Sequence, residues 1–399
     1  MSKPRLLSIK KFQHPVYNLR FGLLCLSSVF FSASYNLLIP ELPAYLSSLG
    51  GAEYIGLIIS LFTLTAGLSR PFSGRLIDTI GRKPVMIVGP VVCIICGGLY
   101  PVLGTIGGFL FLRLLHGFST GFNPTATSTY VSDVVPQKYW GEAMGIQGLC
   151  FGTGLALGPA LGGYLSQYFS LDVLFYLSSV MALISVILIL NLGETLERKQ
   201  AFSWKLLRLK RSDILAKEAF SPALVTFFAY LGFGMMLTLI PDWSSHLGFQ
   251  NKGSFFIVFT VSSLVIRIFA GKVSDKYGRE PLVIMGLILL IIAFFEMGML
   301  QTKMGLMISA TLYGLAMGIL SPSLNAWTVD LSVKNEKGKA ISTMYIALEA
   351  GIGLGALFSG MYYAGSIENI PVVMISCSAI SILALIYMLF KSRLGIFVK

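Results

Sequence analysis

Charge is scarce in this chain. Of 399 residues, 12% are Asp, Glu, Lys or Arg, and the acidic ones number only 18. Soluble domains carry roughly 25% charged residues, so a water-soluble protein of this length would lack polar surface. Histidine is scarcer still: His14, His116 and His246 are all there is. No cluster has metal-ligand spacing, no nucleophile–base pairing is found and no glycine loop of the nucleotide-binding kind occurs, which argues against a membrane enzyme and against ATP-driven export. No cofactor and no metal are expected. The five cysteines (Cys25, Cys93, Cys96, Cys150, Cys377) all lie in apolar stretches. Their odd count argues against a disulfide framework, and the C-x-x-C at Cys93 and Cys96 reads as two small hydrophobes. No short N-terminal apolar stretch ends in a cleavage site, so the first apolar block reads as a retained span.

What is abundant is apolar sequence in long blocks. The chain is 55% hydrophobic with a mean hydropathy of +0.78. Blocks fall near 18–40, 54–73, 84–103, 107–130, 139–165, 170–192, 220–242, 253–271, 281–301, 304–329, 338–363 and 368–390. Each is long enough to cross hydrocarbon about 30 Å thick. Lys and Arg concentrate in alternate connections, among them Arg75, Arg82 and Lys83, the run from Arg198 to Lys217, and Lys272, Lys276 and Arg279. The opposite connections hold only Lys252 and Lys303. By the positive-inside rule, both termini are expected on the cytoplasmic side. The net charge of +12 and pI near 9.4 therefore report membrane topology, and no nucleic-acid partner is expected.

The chain also repeats itself. "SRPFSGRLIDTIGRKP" (69–84) matches "IRIFAGKVSDKYGREP" (266–281), with Gly74 and Gly271 standing 197 positions apart. The same offset relates Gly117 to Gly314, Asp133 to Asp330, Gly141 to Gly338 and Gly158 to Gly355. Six spans separate the copies, so the halves are parallel repeats about an axis along the membrane normal. The expected division is a six-helix bundle over 1–192, a basic linker over 193–219 carrying an amphipathic helix near 202–215, and a second six-helix bundle over 220–399. A substrate site is expected between the halves near the midplane.

Three motifs carry a resemblance. Gly74-Arg75-Leu76-Ile77-Asp78-Thr79-Ile80-Gly81-Arg82-Lys83 reads as a tight connection whose glycines permit sharp backbone and close approach. Asp78 is placed to meet a neighbouring helix N-terminus and Arg82 to pair with Asp133, with Asp275, Arg279 and Asp330 as the second set. "FLRLLHGFSTG" (111–121) puts Arg113 inside an apolar block, where a charge costs roughly 2.5–3.5 kcal/mol or more, with His116, Thr120 and Thr127 following at helical spacing. Gly145, Gly154, Gly158, Pro159, Gly162 and Gly163 form G-x8-G-x3-G-P-x2-G-G, a small-residue helix side suited to close packing. Together these resemble the major facilitator superfamily over the whole chain, and within it the twelve-span drug–proton antiporters. The resemblance implies an all-α membrane fold of twelve transmembrane helices in two pseudo-symmetric six-helix bundles. It implies gating contacts at the first motif, proton coupling at Arg113, and an exporter on the strength of the third.

Proton exchange needs a carboxyl that an apolar site lets load and unload near neutral pH. Glu349, mid-span with Ser342 and Tyr345 on its helix side, is the first candidate, and Glu296 the second, with His116 a further candidate. These rest on burial cost, not on a motif. Glu41 and Asp242, after Pro40 and Pro241, are candidates for the outer mouth. Arg70 and Arg267 are expected to snorkel toward the cytoplasmic edge. Tyr35, Phe228, Tyr230, Met235, Met236 and Tyr345 suit a tolerant apolar cavity. The sequence thus reads as a monomeric secondary transporter of the inner membrane, exporting a small amphipathic organic compound against protons. Rivals are a proton-coupled importer of a sugar, organic acid or other nutrient, and a non-transporting receptor on the same fold.

Overall fold

Backbone in hydrocarbon has no water to bond to, so an apolar block of about twenty residues coils on itself or joins a closed barrel. In the computed structural model the chain coils twelve times at length. It describes residues 16, 18–39, 41–51, 54, 57–166, 168–208, 215–249, 254–333, 336–363 and 366–393. The first half holds α1 (Leu19–Asn36), the short α2 (Leu42–Ser48), α3 (Leu57–Thr79), α4 (Arg82–Leu99), α5 (Ile106–Val134), α6 (Trp140–Leu165) and α7 (Leu171–Leu190). The second holds α8 (Phe220–His246), α9 (Ser254–Tyr277), α10 (Arg279–Met299), α11 (Lys303–Leu331), α12 (Lys337–Tyr363) and α13 (Ile370–Arg393). Among the described residues no strand occurs.

Eight described helices are long and apolar enough by themselves to cross a membrane, from α4 and α7 through to α13. The other four long ones, α1, α3, α5 and α6, carry Ser, Thr, Gly or charge among their apolar residues. They can do so because polar and small faces turn toward other helices. On α7, the exposed residues Val173, Tyr176, Val180, Leu183, Ile187 and Leu190 recur every three or four positions, the stripe a helix presents to lipid.

The repeat seen in the sequence reappears in local structure. Thr105 and Thr302, 197 positions apart, cap α5 and α11 by accepting from Gly108 N (3.1 Å) and Gly305 N (3.0 Å). Within the first half, α1 packs on α6 and α7, α3 on α5, and α4 on α5 and α7. Within the second, α8 packs on α12 and α13, α9 on α11, and α10 on α11 and α13. The halves meet where α3 lies against α12 and α9 against α6.

Two expectations change here. The segment Gly74–Thr79 is not loop but the last turns of α3, and its repeat likewise ends α9. The sharp turn is confined to Gly81 and Gly278, whose φ of 125° and 94° only glycine adopts without strain. In the linker, the described part of 202–215 holds one 3-10 turn, Trp204–Leu207, with Phe202 and Trp204 exposed. Residues 209–214 lie outside the described residues.

Candidate functional site

The end of the bundle where α3 turns into α4 carries most of the Lys and Arg, and it is here that the halves are tied. Asp78, at the end of α3, accepts Gly338 N and Lys339 N, both at 3.0 Å, at the start of α12. Asp275, at the end of α9, accepts Gly141 N and Glu142 N, both at 2.8 Å, at the start of α6. Each half therefore caps the fifth long helix of the other, a carboxylate against the positive end of a helix dipole. Gly74 and Gly338 permit the approach: a Cβ at Gly338 would lie 2.8 Å from the Gly74 carbonyl oxygen.

Arginines brace both caps. Arg82 bonds Asp133 through Nε (2.9 Å), the Ile77 carbonyl (2.6 Å) and Asp78 (3.4 Å). Arg279 bonds Asp330 through Nε (2.7 Å) and Asp275 through Nη1 (2.5 Å). Lys337 crosses between the halves to Asp133 at 3.0 Å. Glu194 accepts Arg82 N (2.9 Å) and Lys83 N (3.1 Å).

Deeper in the bundle, α3 and α12 share a buried ion pair. Arg70 Nη2 lies 2.8 Å from Glu349 Oε1, with the two side chains 3% and 11% exposed. Arg70 Nη1 donates to Thr125 Oγ1 at 2.8 Å, and the guanidinium sits 4.4 Å above the Tyr345 ring. Ser342 Oγ donates to the Arg70 carbonyl at 2.5 Å, and Tyr345 and Ser128 approach to 3.4 Å. Arg70 does not snorkel: a carboxylate, a hydroxyl and a π face hold it inside. Arg267, half-buried, donates from Nε to Ser263 Oγ at 3.3 Å on its own helix.

The other candidates lie within single halves. Arg113 is 2% exposed, donates from Nε to the Ile58 carbonyl at 2.9 Å and stacks on Phe62. His116 is fully buried against Phe62 and Tyr100, with Nδ1 3.4 Å from the Tyr100 hydroxyl and Nε2 without a partner. Glu296 accepts from Ser309 Oγ at 2.6 Å. Glu41 accepts from Ser166 Oγ at 3.0 Å; the Asp242 side chain and Pro40 lie outside the described part. Tyr35 packs on Phe31 and Phe62, and Met235 is buried in the second half's core with Cys377 Sγ 3.0 Å from its sulfur. Gly154, Gly158 and Gly162 let α6 rest on the backbone of α1, where a Cβ would meet Ala33 and Leu37. Gly145 instead faces the other half, where a Cβ would lie 3.0 Å from the Arg267 carbonyl oxygen. Pro159 and Gly163 continue α6, and their surroundings lie outside the described part.

A sequence model described as Major Facilitator Superfamily matches residues 24–302 and again 222–394. The chain belongs to the Major Facilitator Superfamily. It is therefore a multi-pass membrane transporter and not an enzyme. A multi-drug resistance efflux pump PmrA homolog of Lactococcus lactis subsp. lactis is 27% identical over 354 residues, covering 85% of this chain and 86% of the relative. The efflux pump PmrA of Streptococcus pneumoniae is 30% identical over 311 residues, covering 74% and 76%. Among solved structures, human organic anion transporter MFSD10 aligns with a TM-score of 0.81 at 20% identity over 92% of this chain and 98% of that one. The proton:xylose symporter XylE aligns at 0.78 and 14% over 93% and 94%. Identities this low show the fold alone.

In this transporter, sequence reasoning placed the cap residues and Glu349 but missed the partner that makes Glu349 part of a bridge. The signal available was the depth of Arg70, nine residues before the end of α3. A charge that far in requires a partner or a water-lined cavity.

Proposed function

We propose that the chain exports a small amphipathic organic compound in exchange for protons, by alternating access between halves 1–192 and 220–399 joined by 193–219. In this reading it is a monomer in a bacterial inner membrane, with the basic end and both termini in the cytoplasm. The named efflux pumps among its relatives support the direction, and the bias of Lys and Arg supports the orientation.

The observation that carries the coupling is the Arg70–Glu349 pair across the halves. Charged, the pair holds α3 to α12 at 2.8 Å. Protonation of Glu349 removes the attraction and leaves a neutral acid beside a guanidinium, so the seam loses a bond between its two sides. The helix caps from Asp78 and Asp275 then close the cytoplasmic side alone, and the halves rock apart. Loss of the proton to the cytoplasm restores the bridge once substrate is aboard. Arg113, His116 and Glu296 enter this cycle through the packing they hold within each half, and the glycine motif of α6 by letting that helix lie close on α1. Tyr35, Tyr230 and Tyr345 line the substrate's path.

The test is proton movement in proteoliposomes carrying a pH dye, on addition of candidate amphipathic compounds. Substrate-dependent proton movement is expected in the unaltered protein and absent in Glu349→Gln. Proton movement that survives Glu349→Gln removes that carboxyl from its role; substrate movement without protons removes antiport.

A further inference from the structure

The second seam lacks what the first contains. Arg267 stands 197 positions after Arg70 and reaches the α9–α6 seam as Arg70 reaches the α3–α12 seam. Arg70 is satisfied by Thr125, Tyr345 and Glu349. The positions related to these three by the same offset are Pro322, Gly148 and Gly152, none of which has a side chain that can accept a hydrogen bond. Among the described residues, Arg267 has one side-chain hydrogen bond, to Ser263 at 3.3 Å, and no carboxylate in salt-bridge reach.

The glycines decide what lies beside the guanidinium. A Cβ at Gly148 would collide with Arg267, and one at Gly152 would meet only the end of Leu264, at 3.2 Å. Where α12 presents a tyrosine and a carboxylate to Arg70, α6 presents bare backbone to Arg267. Arg267 lies thirteen residues from the start of α9 and ten from its end, about 20 Å and 15 Å along the axis. A guanidinium at that depth is a functional site by default and needs a counter-charge or a wet cavity. Tyr230 and Tyr345 stand near it, and from Tyr230 an aromatic run continues through Phe233 to Phe259.

We propose that the missing counter-charge is brought by the substrate: the transported compound is an amphipathic organic anion whose carboxylate or sulfonate binds Arg267 at the α9–α6 seam, on the side of Gly152. The planar guanidinium offers paired donors that fit a two-oxygen acceptor. The aromatic run takes the apolar part. Among the described residues a cation finds no free acid beside Arg267, since Glu349 is already held by Arg70. The inference rests on the export reading for where the compound sits, but not on proton coupling.

The test uses the full-length protein, purified, with 1-naphthoate as probe and 1-naphthalenemethanol and 1-naphthylmethylammonium as neutral and cationic controls. Binding to the folded state raises the melting temperature with ligand concentration, and the dependence gives the affinity. Naphthoate is expected to stabilise the unaltered protein more than either control. In Arg267→Gln its affinity should fall about ten- to a hundredfold, the range for loss of a charge-assisted bond, while the neutral probe is unchanged. Gly152→Glu, which supplies the absent carboxylate from within, should also block naphthoate; it decides the matter if Arg267→Gln does not fold. No naphthoate binding to the unaltered protein, or equal binding to all three proteins, overturns the inference. The proton assay with Glu349→Gln is indifferent to either result, so the two readings fail separately.

Discussion

A carboxylate and a guanidinium held 2.8 Å apart inside a membrane protein are a poor source of net stability, because desolvating both offsets most of their attraction. Removing one of them is another matter, since the survivor keeps its charge with no partner. Arg70→Gln and Glu349→Gln should each lower stability by about 3–5 kcal/mol. The double variant should lose much less than the two together, and thermal unfolding of all four proteins checks this. Simple additivity would mean that the pair does not act as a unit. The partnership spans 279 positions, so nothing local in the sequence announces it. Glu349 was readable as buried, whereas Arg70 was read as snorkelling, and neither reading told which charge it met. Asp78 and Arg82 were easier, because a motif fixes their spacing and Asp133 falls at the same end of the bundle by counting along α5. Arg267 could have been singled out by asking which partners of Arg70 the repeat omits.

Helices were the most legible level. Twelve apolar blocks became twelve long helices, since a span has few other ways to satisfy its backbone. Their ends were less so: α3 and α9 run on through the motif because Arg75, Asp78 and Lys276, though polar, sit at helix ends where they reach solvent or partners. Between helices, glycine sets the distance. At Gly154 a Cβ would lie 2.8 Å from both Ala33 N and the Ser32 Cβ. Gly154→Val should therefore destabilise by about 1–3 kcal/mol or more, because α1 backbone cannot step aside as a side chain can. Gly353 has nothing within 4 Å, and Gly353→Ala should stabilise by about 0.5–1 kcal/mol by removing unfolded-state freedom. Melting temperatures of the two variants should move in opposite directions. Gains in both would mean that helix propensity, not proximity, governs these sites.

For the whole molecule, the parallel repeat was readable from one constant offset, while the state of the two halves was not, because both states use the same sequence. The structure holds them together at the basic end. Asp78→Asn combined with Asp275→Asn should shift the population toward separation there. Nitroxide labels at the exposed Gln137 and Val333 would report it as a longer distance in the double variant. An unchanged distance distribution would remove the caps from control of that side.

The reciprocal capping has a consequence for leakage. A barrier fastened at one point opens whenever that point fails, but here two fastenings belong to different helix pairs and one must fail without help from the other. Such an arrangement computes a logical AND. If each cap favours closure tenfold, about 1.4 kcal/mol, independent failures multiply to about a hundredfold. Ions would then cross only in the rare instants when both are undone, whereas a motion that withdraws α3 and α9 together undoes both at once. Slippage and the productive stroke both lose the two caps, but only the stroke has substrate and proton binding to offset the loss.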